Sequence, residues 1–222
     1  MARKETVRNA EELVERIMKG NDASHDAAHV WRVRDLALTL AREEGLFSSE
    51  SMEIIELAAL LHDIGDYKYL RDPSEERIVE NFLEQECIEE HKKIKILCII
   101  KQMGFKDELA GLVNLELFPE FGIVQDADRL DAIGAVGIAR CFTFGGSRSR
   151  VLHDPAIQPR SDLCKEQYMK KDEQTTLNHF HEKLLKLKDL MKTKAGQKRA
   201  ERRHKFMEEF LNEFYEEWDG RA

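Results

Sequence analysis

The chemistry open to this chain rests on two histidines and a few aspartates. His62 and Asp63 stand side by side at the end of an apolar run, in LAALLHDIGD, while His29 lies far upstream in SHDAAHVWRV and Asp128 lies downstream in VQDADRLDAIGAVG. Burying an adjacent His-Asp pair is costly, because one side chain is a charge and the other a polar ring, unless something positive binds both. A metal ion is that partner. Neighbouring residues on a helix project about 100° apart, so both can reach an ion lying off the helix face. Imidazoles combined with carboxylates make a mixed N/O site, which suits Mn²⁺, Fe²⁺, Co²⁺, Ni²⁺ or Zn²⁺ better than Ca²⁺.

Such a site needs several helices to carry its ligands. Leu57, Ala58, Leu60, Leu61 and Ile64 make the first carrier apolar nearly all round, which puts His62 and Asp63 at the edge of a core. His29 opens a stretch with Val30, Val33, Leu36, Ala37, Leu40 and Ala41 at helical spacing, so it can come from a second helix. Asp128, with Asp126 and Asp131 as rivals, sits among Ala127, Ala132, Gly134, Ala135, Gly137 and Ala139. Small residues there would let this third helix approach the His-Asp helix closely.

The same periodicity recurs along the chain, and no strand alternation competes with it. Helices are expected at 6–19, 27–44, 50–64, 73–86, 89–103, 107–117 and 122–143, and again at about 162–191 and 194–218, with Gly20, Gly45, Gly65 and Gly104 as stops. The fold class is therefore all-α, a single domain over 1–222. Between the helices lies FGGSRSRVLHDPAIQPRSD, an irregular stretch near 145–161 of a length usually tied to function, and it reads as a lid.

The ordered set His29, His62–Asp63 and Asp128 resembles the HD-domain superfamily of metal-dependent phosphohydrolases, in which those positions hold one divalent metal. The contexts HVWRV, LLHDIGD and DADRLDAIGAVGIAR, and the later YMKKDEQTTLNHFHEKLLKLKDLM, are similar to the branch of small stand-alone hydrolases acting on nucleotides. The resemblance implies an HD-type helical bundle with its metal-site core over about 25–146. The setting Ala127-Asp128-Arg129-Leu130 matches the superfamily's last ligand, which selects Asp128 over Asp126 and Asp131. It also implies one divalent ion (Mn, Co, Fe, Ni, Zn or Mg) and hydrolysis of a phosphoester or phosphoanhydride, with nucleoside or deoxynucleoside triphosphates as the expected substrates. Two other classes share the ligand set: a nucleotide-binding sensor with little turnover, and an HD-type di-iron oxygenase. The shortage of further histidines argues against the second.

Hydrolysis needs a proton-transfer group, and Asp66, three residues beyond Asp63, is the best placed in sequence. Phosphate oxygens need donors. His25, Arg32, Lys68 and Arg129 each lie close in sequence to an expected ligand, and Arg148 and Arg150 sit in the expected lid, with Arg160, Lys165, Lys170 and Lys171 beyond. His153–Asp154 repeats the dipeptide but precedes a proline in the loop, so it reads as a lid element. His91, in IEEHKKIK, lies on a charged face and has no neighbouring histidine to complete a second metal site.

The composition narrows the setting. The net charge of −8 disfavours nucleic acid as a partner, and no apolar run reaches membrane-spanning length, so no membrane partner is expected either. Cys87, Cys98, Cys141 and Cys164 show no CxxC spacing and read as free thiols in a reducing compartment, the cytoplasm or also the nucleus. Phe206, Phe210 and Phe214 with Leu211 and Trp218 recur at helical spacing, a stripe that suits core or a subunit interface, so a homo-oligomer is the one protein partner left open.

Overall fold

The capping residues and apolar stripes of the sequence define the helices of the computed structural model, which describes residues 2–65, 77–105, 108, 118–160 and 174–221. Helix α1 spans Ala2–Ile17. Asp26 caps α2 (Ala27–Glu43) by accepting from the His29 amide, and the buried stripe His29, Val30, Val33, Ala37, Leu40 and Ala41 follows at once. Ser48 caps α3 (Ser49–Leu61) in the same way through the Ser51 amide. The residues of α3 from Leu57 to Leu61 are all fully buried, so α3 is the central helix of the bundle. Around it run α4 (Ile78–Gln85), α5 (Glu90–Gln102), α6 (Pro119–Asp131), α7 (Gly134–Ser147), the short α8 (Asn178–Glu182), a 3₁₀ segment (Leu184–Leu190) and the long α9 (Lys194–Trp218). No strand occurs among the described residues.

Packing places the functional elements together. Helix α2 lies against α3 and α6, α3 also meets α1, α5 and α6, and α9 closes the far side against α6, α7 and the 3₁₀ segment. The core is continuous from Val14 through Leu40, Leu60 and Ile123 to Phe180 and Met207. Truncating a fully buried leucine such as Leu60 to alanine in such a core typically costs about 2–5 kcal/mol.

Three expectations are corrected. The helix carrying His62 and Asp63 does not continue to Gly65: α3 ends at Leu61, and residues 62–65 form a turn that closes at Gly65, whose φ of +83° is readily adopted only by glycine. The helix expected over 122–143 is two helices, broken where Ile133 is extended and Gly134 takes φ +76°. The glycines placed there for approach to the His-Asp helix serve this bend instead. A Cβ on Gly137 would lie 2.3 Å from the backbone carbonyl of Ala132, so the second helix can fold back on the end of the first only with glycine there. Finally, α7 runs through Ser147, so the irregular stretch begins at 148 rather than 145.

That stretch is docked over 151–160. The Val151 and Leu152 carbonyls accept from the amides of Thr176 and Leu177, at 2.9 and 3.1 Å. The Asn178 side chain donates to the Ile157 carbonyl, and Arg160 pairs with the buried Glu182. The helix expected over 107–117 falls almost wholly outside the described residues, as does the first part of the helix expected over about 162–191; the described part of the latter is not one helix but a turn, the short α8 and the 3₁₀ segment, broken at Lys183.

Candidate metal centre

Three elements meet at one point: the first turn of α2, the turn after α3, and the last turn of α6. His29 Nε2 lies 3.3 Å from Asp63 Oδ2 and 3.5 Å from Asp128 Oδ1, and His62 Nε2 lies 3.4 Å from Asp63 Oδ1 and 3.7 Å from Asp128 Oδ1. Donors bound to a common first-row metal at about 2.0–2.2 Å sit roughly 3–3.5 Å from one another, so these spacings are those of a shared ion. His29, His62 and Asp128 each offer a ligand atom within 4.8 Å of the other two.

Each histidine is oriented by its second nitrogen. His29 Nδ1 bonds Asp131 Oδ2 at 2.8 Å, and His62 Nδ1 donates to the Ala59 carbonyl at 2.9 Å, one turn back on α3. Both Nε2 atoms are thereby presented to the cluster, the usual way a protein prepares histidine ligands. His62 Nε2 and Asp63 Oδ2 are buried and make no hydrogen bond among the described residues. Buried polar atoms are rarely left so, and a cation between them removes the cost.

The electrostatics make the same demand for positive charge. Burial opposes protonation of His29, yet its hydrogen bond to Asp131 and the adjacent charge of Asp63 outweigh this and raise its pKa to about 9. Burial also opposes ionisation of Asp63, but His62 and His29 hold its carboxyl well below the ordinary carboxylate range. Asp131 is lowered too, since its hydrogen bonds to His29 and Arg32 overcome burial. The side chains of His29 and His62 are 1% and 3% exposed, whereas that of Asp128 is 33% exposed, so the centre opens on the Asp128 side.

The three aspartates of α6 have separate fates. Asp128 faces the cluster. Asp126 is turned away, accepting from the amides of Lys192 and Thr193 and from the Thr193 hydroxyl at 2.7–3.1 Å. Asp131 grips His29 and is itself held by Arg32, at 2.8 and 3.0 Å, and by Arg140 at 3.1 Å. The sequence carries a signal for this role. His29 and Arg32 are three apart on α2, Asp128 and Asp131 three apart on α6, and the two pairs face each other. Nothing in the sequence points to Arg140.

The residues expected to bind substrate are divided. The His25 ring lies 6.2 Å from that of His29 and 5.5 Å from Phe144, and Arg148 and Arg150 lie over Phe144 at 5.4 and 5.1 Å, so the end of α7 brings them to the His25 side of the cluster. Arg32 is committed to Asp131. Arg129 is not brought to the cluster: its guanidinium, 4% exposed, donates to the Leu190 carbonyl and pairs with Glu108, tying α6 to the segment before α9. Asp66 and Lys68 lie outside the described residues, as do Lys165, Lys170 and Lys171. His91 is at the surface with Glu50 and Glu89.

Comparison with known proteins identifies the family of this fold. Residues 26–133 match the HD domain family, an interval that begins just before His29 and ends just after Asp131. The uncharacterized protein YpgQ of Bacillus subtilis is 35% identical over 211 residues, covering 93% of this chain and 91% of its own length. The crystal structure of YpgQ in complex with ADP superposes with a TM-score of 0.72 at 31% identity, over 98% of this chain and 97% of that one. A Lactobacillus plantarum protein gives a TM-score of 0.86 at 33% identity, over 99% of this chain and 100% of that one. An HD-superfamily hydrolase from Bacillus thuringiensis gives 0.70 at 38% identity, over 98% of each chain. With both the sequence and the whole bundle matched, the chain belongs to the HD-domain superfamily of hydrolases.

Proposed function

We propose that this protein is a metal-dependent phosphohydrolase acting on nucleotides, with nucleoside or deoxynucleoside triphosphates as its substrates. The observation that carries the reading is the cluster of His29, His62, Asp63 and Asp128, two of whose buried donor atoms have no hydrogen-bond partner among the described residues. These four side chains would hold one divalent ion. When bound, the ion supplies a Lewis acid that lowers the pKa of water and offsets charge on a phosphoryl oxygen.

The chain's own residues do the remaining work. Asp131 and the Ala59 carbonyl keep His29 and His62 in the ligating tautomer. Asp66, three residues after Asp63, is the proton-transfer group. His25, Arg148 and Arg150 hold phosphate oxygens, the arginines through charge-assisted and bidentate hydrogen bonds. The crystal structure of YpgQ in complex with ADP supports a nucleotide as the ligand.

Elemental analysis of the purified protein tests the ligand set, and assays on a nucleotide panel with Mn²⁺, Co²⁺ and Mg²⁺ test the substrate class. About one transition metal per chain, and activity abolished by EDTA, is the expected result. Two irons per chain would move the protein to the oxygenase class, and no turnover of any nucleotide would overturn the substrate assignment.

A further inference from the structure

We propose that Ser24 is a positioning residue, locked between Asp22 and His25 so that His25 donates its Nδ1 proton to the scaffold and turns Nε2 to the substrate. The inference rests on the nucleotide-hydrolase reading only in what that substrate is.

The hydrogen-bond inventory fixes the tautomer. Ser24 is fully buried, and its hydroxyl touches both the Asp22 carboxylate and His25 Nδ1, the latter at 2.7 Å. A hydroxyl has one proton, and a carboxylate only accepts. The Ser24 proton therefore goes to Asp22, which also receives the Ser24 amide at 2.9 Å. His25 Nδ1 must then carry a proton and donate it to Ser24 Oγ. Nε2 is then the nitrogen left for the substrate: it carries the second proton when the ring is charged and donates it to a phosphate oxygen, and it is unprotonated in the neutral ring.

The lock is anchored on the metal-site scaffold. Arg140 of α7 donates through Nε to the Ser24 carbonyl at 2.7 Å and meets Asp131 through Nη1 at 3.1 Å. Asp131 in turn holds His29. One arginine thus fixes both the carboxylate behind a metal ligand and the residue behind His25. Asp22 is further held by the Ser147 hydroxyl at 3.2 Å, at the end of the helix that leads to Arg148 and Arg150. The His25 ring is consequently set relative to the cluster and to the two arginines alike.

Long-range ¹H–¹⁵N correlation spectra of the imidazoles, recorded at mildly alkaline pH and assigned with His25→Gln, test the proposal without any turnover. Wild-type His25 is expected as the Nδ1–H tautomer. Ser24→Ala removes the acceptor and should release the ring toward Nε2–H. In Asp22→Asn the new amide can donate to Ser24 Oγ and turn the hydroxyl toward His25, so the tautomer should invert. In kinetics, Ser24→Ala should raise KM for a nucleoside triphosphate about tenfold, the order expected for one lost hydrogen bond. It should have no further effect in a His25→Ala background, whereas a merely structural role would act in both. A wild-type Nε2–H ring, a tautomer unmoved in both variants, or multiplying effects of Ser24→Ala and His25→Ala would overturn the proposal. If the tautomer shifts as expected while the wild type turns over no nucleotide, the nucleotide reading falls and the positioning of His25 stands.

Discussion

Leu-His-Asp occurs at residues 61–63 and again at 152–154, and the two copies do opposite things. After α3, the His62 ring meets another imidazole, His29, with centroids 5.3 Å apart, and Asp63 lies between them. After α7, the His153 ring meets Phe214, Tyr215 and Trp218 of α9 at 6.1, 5.4 and 5.1 Å, while Asp154 caps a turn by accepting the Ala156 amide. The dipeptide is the same, and the neighbours decide. Helices α2 and α6 flank α3 and bring His29 and Asp128 to the first copy, whereas α9 offers the second an aromatic surface. His153 is thus a packing residue that pins the docked loop to the last helix.

The sharpest way to break this contrast is to remove a ligand from the first copy. Asp63→Ala should take metal and activity to background together, because His29 and His62 lose the carboxylate between them; metal retained at wild-type stoichiometry would end the proposed ligand set. Next in size is Asp66→Asn. The first copy is followed after three residues by this carboxylate, the second by Ile157. Metal content should stay constant and kcat should fall by roughly 10²–10⁴-fold, and near-normal turnover would remove Asp66 from the proton-transfer role. Asp131→Asn should weaken metal affinity by roughly 10–100-fold, as expected for a residue behind a ligand, with an affinity unchanged in a chelator competition counting against that role. The smallest effect belongs to the second copy. His153→Ala should leave metal content and kcat untouched and lower stability by about 1 kcal/mol through lost ring contacts, measured by urea denaturation; loss of metal in this variant would erase the distinction between the copies.

The parts of this arrangement readable from the sequence are those set by local chemistry. Helix α2 begins at the expected residue because Asp26 is its cap and its apolar stripe is unbroken. The gathering of His29, His62 and Asp128 was legible because each stands where an apolar helix starts or ends. What escaped is decided by partners far along the chain. Arg129 looks like a phosphate ligand beside Asp128, yet it lies on the neighbouring helical face, where Leu190 and Glu108 wait. Asp131 reads as a rival ligand, and only the approach of Arg32 and Arg140 converts it into the support for His29. The break after α6 was hidden because Ile133, extended in the fold, suits the helical pattern as well as its neighbours do, and Gly134 can be read equally as packing or as a bend.

Asp126 links this centre to the order in which the chain is made. Its fully buried carboxylate takes its hydrogen bonds from Lys192 and Thr193, and the Leu130 carbonyl one turn later accepts from Arg203. Until those residues have left the ribosome, the Asp126 carboxylate and the Leu130 carbonyl lack these donors, and α6 lacks the contacts with α9 that hold it in the bundle. The proposed ligands His29, His62, Asp63 and Asp128 are therefore synthesised long before the scaffold that aligns them is complete. A nascent chain stalled before Lys192 should capture metal poorly, which would make the proposed centre a late event in biosynthesis rather than a nucleus around which the bundle forms.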